Sequence, residues 1–310
     1  MIKFAFVFPG QGSQAIGMLN VFADNAAVRD TVAEASAALQ FDLGALIAEG
    51  PKEALDLTTN TQPVMLTAGV AFYRAWIAAG GAVPAMVAGH SLGEYAALVA
   101  AGVLSFADAV PLVRFRAQAM QEAVPVGQGG MAAILGMTDD DVRAVCHDAA
   151  QGEVVEAVNY NAPLQVVIAG HKQAVERACE LAKARGAKRA LPLAVSAPFH
   201  SSLLQPASAR LRDHLAKLTF LPPQIALINN VDVAVVDDVA GIKDALVSQA
   251  ASPVRWVETV QAMAAAGVTH LIECGPGKVL TGLTKRIDPS LVGEALVDPT
   301  SLDKIMELLK

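Results

Sequence analysis

The residues whose types and spacing carry the most chemistry are Gly89-His90-Ser91-Leu92-Gly93. They follow the apolar run 84–88 and open into Glu94-Tyr95-Ala96-Ala97-Leu98, which reads as strand, tight turn and helix. That is the setting of a G-x-S-x-G nucleophile elbow. Glycines allow the sharp turn, and the serine hydroxyl stands clear of the sheet at the positive end of a helix dipole. A pentapeptide with three fixed positions also arises by chance or around a plain serine cap, so alone it says only that some acyl carbon is attacked.

A serine hydroxyl is a poor nucleophile at neutral pH and needs a base within hydrogen-bond reach, with donors for the oxyanion. Six histidines are present. His90 adjoins the serine on a residue that the turn directs elsewhere. His147 and His171 fall in a middle segment, His214 lies mid-helix and His270 opens a buried strand. His200, within Ser196-Ala197-Pro198-Phe199-His200-Ser201, sits in a loop and is the best-placed base, the alternative being a surface histidine. No Asp or Glu occupies an evident strand-end loop between Ser91 and His200, and Asp139, Asp140 and Asp141 read as helix-start charges. A dyad whose imidazole is steered by a carbonyl or amide is the simpler expectation. Near the N-terminus Pro9-Gly10-Gln11-Gly12 ends an aromatic-rich strand; Gly17 lies at the wrong spacing for a dinucleotide fingerprint, so the loop is expected to bring a backbone or amide group to a substrate, with Gln11 at its tip.

Strands and helices alternate around these residues. Strands are expected at 2–8, 84–88, 225–229 and 269–273, and helices at 23–39, 64–79 with Trp76 in the buried face, 94–101, 105–122, 203–218, 242–250 and 254–266, before an amphipathic tail. This gives an α/β fold with a mostly parallel sheet, helices on both faces and catalytic loops at the carboxyl ends of the strands. Between Pro125 and Pro198 the order changes to βαββαβ, with its last strand expected at 188–195, the split-βαβ pattern of a ferredoxin-like unit. A small domain at 127–195 is therefore expected as an insertion into a large catalytic domain formed by 1–126 and 196–310.

Composition narrows the classes. At 310 residues the chain buries a sizeable core, and its net charge of −7 disfavours nucleic acid, which needs a clustered excess of Lys and Arg. Two local basic groups remain: Lys183, Arg185, Lys188 and Arg189, and Lys278, Lys285 and Arg286. No apolar run reaches the roughly 18 residues of a membrane span, and Pro9-Gly10 interrupts the first run before a signal-peptide core forms. Cys146, Cys179 and Cys274 are three in number and widely spaced, which favours neither a disulfide framework nor a zinc site. A cytoplasmic location with reduced thiols is expected.

Taken in order, Phe8-Pro9-Gly10-Gln11-Gly12-Ser13-Gln14, Gly89-His90-Ser91-Leu92-Gly93-Glu94, the Arg116 helix, Ala197-Pro198-Phe199-His200 and Glu273-Cys274-Gly275-Pro276-Gly277 resemble the malonyl-CoA:acyl-carrier-protein transacylases over essentially the whole chain. The resemblance implies that Ser91 takes malonyl from malonyl-CoA as an ester, with His200 as base. It also implies that Gln11 and the Leu92 N–H form the oxyanion hole, that Arg116 grips the malonyl carboxylate in a two-pronged contact, and that the main chain of Gln249 orients the histidine. Phe199 and Asn161 are implied as pocket residues, Phe199 filling the space of an α-methyl group, and Asn229 matches another pocket position. The partners implied are malonyl-CoA and an acidic acyl carrier protein, with no cofactor, no metal, no nucleic acid and no membrane; a monomer is expected. A serine hydrolase shares the elbow but normally adds a carboxylate and has no use for Arg116. An inactive scaffold has no use for any of these residues.

Overall fold

The computed structural model describes residues 2–310. β1 (Phe4–Phe8) is followed by α1 (Ala26–Leu39), α2 (Leu43–Glu49), α3 (Lys52–Leu55) and α4 (Thr58–Ala78), then β2 (Met86–Gly89), α5 (Gly93–Ala100) and α6 (Phe106–Glu122). β3 (Gly129–Leu135), α7 (Asp139–Ala150), β4 (Val155–Ala162), β5 (Gln165–His171), α8 (Lys172–Ala184) and β6 (Arg189–Pro192) come next. The chain closes with α9 (Gln205–Leu215), β7 (Ala226–Ile228), α10 (Val239–Gln249), α11 (Trp256–Ala265), β8 (His270–Cys274), α12 (Val279–Ile287), β9 (Val292–Leu296) and α13 (Pro299–Leu308).

One sheet has the order β7-β2-β1-β8-β9, and every neighbouring pair is parallel. A parallel strand covered on both faces needs apolar residues throughout, and all five of Phe4–Phe8 are buried. Period-two alternation then sorts them. Phe4, Phe6 and Phe8 enter a core with α4 and α5, where Trp76 and Tyr73 meet the Phe6 ring edge to face. Ala5 and Val7 face the opposite core, built on Trp256 and Val260 of α11 and Leu280 and Leu283 of α12. The strands end together, so the loops after β1, β2 and β7 share one edge of the sheet, the crevice where open α/β folds place their sites.

The second sheet has the order β4-β5-β3-β6, is antiparallel throughout, and packs α7 and α8 on one face. It joins the first body through β4: the Tyr160 N–H donates to Val254 O at 3.0 Å and the Val254 N–H to Val158 O at 2.8 Å. The segment so pinned runs directly from the end of α10, so the seating of β4 bears on Gln249.

Three expectations differ from the structure. α4 begins at Thr58, six residues before the expected start, and Pro63 lies inside it. Proline removes one helical N–H bond, yet Thr61, Gln62 and Val64 are all buried, and that packing carries the helix through. The last strand, β9, was expected as part of an amphipathic tail; it pairs with β8 on one side only, and its Gly293 and Glu294 dilute the strand pattern. The stretch expected as a strand over 188–195 is a strand only at Arg189–Pro192; the Leu193 N–H still donates to Met131 O at 2.9 Å, and Leu193, Ala194 and Val195 line a cavity. Among the described residues, no helix is long and apolar enough to cross a membrane, and no group of three or more His, Cys, Asp or Glu is arranged to hold a metal.

Candidate active site

The elbow is set by two close approaches. A Cβ on Gly89 would lie 1.9 Å from the Gly93 carbonyl carbon, and one on Gly93 would lie 2.0 Å from Phe8 O, so α5 leaves β2 against the end of β1 at a distance only glycine permits. Ser91 between them takes φ +52°. Asn230, just after β7, fastens the turn on both sides: its Oδ1 accepts the Ser91 N–H at 2.7 Å and its Nδ2 donates to Gly89 O at 2.6 Å.

The Ser91 Oγ lies 2.7 Å from His200 Nε2. His200 Nδ1 lies 2.8 Å from Gln249 O, an acceptor only, so the proton sits on Nδ1 and Nε2 presents its lone pair to the serine. The ring is buried; burial first, and the charge of Arg116 second, push its pKa down to about 3, which keeps the imidazole neutral and basic in form. Among the described residues its hydrogen-bond partners are Ser91 and the Gln249 carbonyl, neither of them a carboxylate.

Arg116, from the middle of α6, is 2% exposed. Its Nη1 donates to Gln62 Oε1 and its Nη2 to Gln249 Oε1, each at 2.8 Å, and Nη2 also reaches Ser91 Oγ at 3.2 Å. The guanidinium lies 5.4 Å from the Tyr95 ring centroid. Both close acceptors are neutral amides, so the cation beside the nucleophile is oriented without an ion pair. Burial, above all, lowers its pKa from the usual arginine value.

Gln11 sits in the exposed loop after β1, where the Thr58 hydroxyl donates to its Oε1 at 2.8 Å. Its side-chain oxygen is thereby occupied, whereas the main-chain N–H groups of Gln11 and Leu92 meet no acceptor among the described residues. Both residues line a cavity of about 570 Å³ that also holds Ser91, Arg116, Phe199 and His200. The arrangement holds a nucleophile, a neutral base, two free amide donors and a buried cation around one space. It suits attack on an acyl carbon whose chain carries a negative charge.

Ser91, Leu92, Gln11, Arg116, Phe199, His200 and Gln249 are thus brought together. Asn161 is not. Its Oδ1 meets His90 Nε2 at 2.8 Å, and the asparagine that lines the cavity is Asn159. Two residues apart on a regular strand they would share a face, but β4 shifts register on either side of this stretch, and such irregularities re-aim side chains. Asn229 is likewise displaced from the expected role: its Oδ1 accepts the N–H groups of Val231 and Asp232 in a turn, and its neighbour Asn230 does the work at the elbow. Glu94, directly after the elbow pentapeptide, carried no expected role. It is 2% exposed, and its Oε2 accepts the Gln249 Nε2 at 2.9 Å and the Asn230 N–H at 3.0 Å. Burial pushes its pKa up to about 7 against those two donors and Arg116. An acidic residue in the first turn of so apolar a helix was the signal available for it.

Comparison with known proteins gives a consistent picture. The acyl transferase domain family matches residues 5–288. The malonyl CoA-acyl carrier protein transacylase of Escherichia coli strain K12 is 57% identical over 99% of this chain and 100% of its own. The crystal structure of an acyl-carrier-protein S-malonyltransferase from Burkholderia pseudomallei 1710b superposes with a TM-score of 0.98 at 69% identity, covering 99% of this chain and 100% of that one. A malonyl transacylase solved in complex with its type II polyketide acyl carrier protein superposes with a TM-score of 0.98 at 50% identity, over 99% of each chain. By these full-length matches, the chain belongs to the malonyl-CoA:acyl-carrier-protein transacylase family.

Proposed function

We propose that this protein moves a malonyl group from malonyl-CoA to the phosphopantetheine thiol of acyl carrier protein by a ping-pong route through a Ser91 ester, supplying fatty acid elongation. The observation that carries this reading is the placement of one oxygen, Ser91 Oγ, 2.7 Å from a neutral imidazole nitrogen and 3.2 Å from a buried guanidinium. His200 Nε2 takes the Oγ proton as Oγ bonds to the thioester carbon, and the N–H groups of Gln11 and Leu92 receive the oxyanion. When the tetrahedral adduct collapses, the C–S bond breaks and the protonated imidazole returns the proton to the CoA sulfur. In the second half His200 takes the proton of the carrier thiol, the sulfur attacks the ester, and the proton passes to Ser91 as Oγ leaves. Arg116 pairs with the free malonyl carboxylate, a bidentate contact that lysine does not reproduce. Phe199 borders the acyl group. The chemistry calls for no cofactor or metal, malonyl-CoA being a substrate.

In the same reading 127–195 is a ferredoxin-like unit inserted into the catalytic domain, an assignment supported by the order β3-α7-β4-β5-α8-β6 and the sheet order β4-β5-β3-β6. Its role is to wall the cavity with Met131, Asn159 and Leu193 and so limit water at the ester.

Intact mass spectrometry tests the function. Protein incubated with malonyl-CoA is expected to gain one malonyl adduct, absent in Ser91→Ala, and to lose it to added holo carrier protein. Release of free malonate at the same rate without the carrier protein makes the protein a hydrolase, and the absence of any adduct overturns the serine-ester route.

A further inference from the structure

Gln249 does more than hold His200 by its main chain. Its side-chain Oε1 faces Arg116 Nη2 at 2.8 Å, while its Nε2 faces Ser91 O at 3.0 Å and Glu94 Oε2 at 2.9 Å. A primary amide presents an acceptor at one end and donors at the other, and its neighbours alone decide which way round it sits. Here one side offers only a donor and the other only acceptors. Glu94 Oε2 also accepts the N–H of Asn230, the residue that pins Ser91 and Gly89. One carboxylate oxygen, in the first turn of the elbow helix α5, thus ties the end of α10 and the loop after β7 to the nucleophile.

The spacing also matters for charge. A carboxylate directly on Arg116 would form an internal ion pair and occupy the donors that a substrate carboxylate needs. With the Gln249 amide interposed, Arg116 is oriented by an acceptor yet keeps its charge available.

We propose that Glu94 is a positioning residue for acyl selectivity: it fixes the side-chain amide of Gln249 so that Arg116 is held, un-neutralised, for an acyl group bearing a carboxylate. The inference rests on the function proposed above, in which Arg116 receives the malonyl carboxylate.

The test compares malonyl-CoA and acetyl-CoA as donors, with kcat and KM for Ser91 loading determined separately and folding followed by thermal melting. Glu94→Leu removes the acceptor. It is expected to lower malonyl kcat/KM by about 10- to 100-fold, mainly through KM, and to lower the malonyl-to-acetyl ratio at least about fivefold. Glu94→Gln retains an oxygen able to accept from both donors and is expected to restore the ratio to within about threefold. In an Arg116→Ala background the Leu substitution should no longer change the ratio, because the two act through one contact. Should Glu94→Leu fail to fold, Glu94→Asp takes its place: withdrawing the carboxylate by about 1.5 Å breaks at least one of its bonds and should lower the ratio in the same direction. An unchanged ratio overturns the proposal, as does an equal loss for both acyl groups in a folded variant, or a Gln variant no better than Leu. Wild-type protein run alongside separates the cases: if it does not load malonyl, the function itself fails and this inference with it.

Discussion

At the scale of residues the site is governed by two buried groups of opposite design: a cation kept charged and a base kept neutral. Arg116 has amide acceptors at Nη1 and Nη2 and bonds no carboxylate among the described residues, so removing it deletes the buried charge beside Ser91 that the proposed function pairs with a malonyl carboxylate. Truncating one side of a buried charged hydrogen bond costs about 2–5 kcal/mol. Arg116→Ala should therefore lower malonyl kcat/KM by about 30-fold or more, with a far smaller effect on acetyl loading, and Arg116→Lys should recover little. Equal losses for the two acyl groups would remove its assigned role. His200 gives a prediction for pH. Its folded pKa, about 3, lies below the 6.5 of the unfolded imidazole. Below pH 6.5 the unfolded chain therefore binds a proton that the folded site refuses. The stability this histidine leaves intact at pH 7 is lost as the pH falls toward 3, by about 2 kcal/mol at pH 5. His200→Asn lacks that loss, so its melting temperature relative to wild type should rise as the pH is lowered from 7 to 5; a constant difference would show that the ring protonates freely in the fold. Ser91 and His200 were legible in the sequence as reactive types at distinctive places, an elbow turn and a loop, whereas the role of Arg116 came only through the family resemblance, since a helix carrying two arginines does not say which one turns inward. Asn161, implied only by the resemblance, bonds His90 while Asn159 lines the cavity, because a register shift inside a strand leaves no mark in composition. Asn229 and Asn230 are adjacent asparagines at a strand end, and only the backbone decides which one turns toward the elbow; the sequence carries no sign that it is Asn230.

At the scale of elements, the strand-turn-helix from β2 to α5 carries the geometry. Gly93 sits so close to the end of β1 that an added Cβ falls 2.0 Å from Phe8 O, a backbone atom that cannot rotate away. Gly93→Ala must push α5 off the sheet, lowering stability by about 3 kcal/mol or more and displacing the Leu92 N–H from the cavity. A urea midpoint shifted down at constant m, with malonyl loading reduced, is the expected result. Gly282 in α12 is the control: nothing lies within 4 Å of an added Cβ there, and alanine should stabilise the helix by about 0.5–1 kcal/mol. A Gly93→Ala protein as stable as wild type would mean that the elbow relaxes. The apolar parallel strands at the centre of the sheet were readable from pattern, since burial on both faces imposes it. β9 and the first turn of α4 were not, because tertiary partners rather than local sequence hold them: β8 beside an edge strand, and a packed core around Pro63.

At the scale of the whole molecule, the antiparallel sheet lends Met131, Asn159 and Leu193 to the cavity wall, and exposed basic residues stand at the start of its edge strand β6. Of its basic cluster, Lys183 pairs with Glu180 and Arg185 with Asp148, whereas Lys188 and Arg189 are exposed and form no ion pair among the described residues. Arg189 opens β6, and four residues on, roughly 13 Å along an extended strand, Leu193 lines the cavity. The other basic pair is less free, since Arg286 of α12 already donates to Gln165 and to Pro163 O. In a protein of net charge −7 such an unpaired pair would steer an acidic partner by local field rather than by overall attraction. Reversing Lys188 and Arg189 to Glu should raise the KM for an acidic carrier protein several-fold at low salt, an effect that fades as ionic strength approaches about 0.15 M and beyond. Ser91 loading from malonyl-CoA should be unaffected, because in the proposed ping-pong route that half-reaction does not involve the carrier. Reversal at Lys285 and Arg286 should weigh less. If transfer to the carrier at low salt is the same in the Lys188 and Arg189 variant as in wild type, the carrier approaches from another side and the patch is only a solvated face; if it falls while loading is intact, β6 is the rim over which the carrier delivers its thiol.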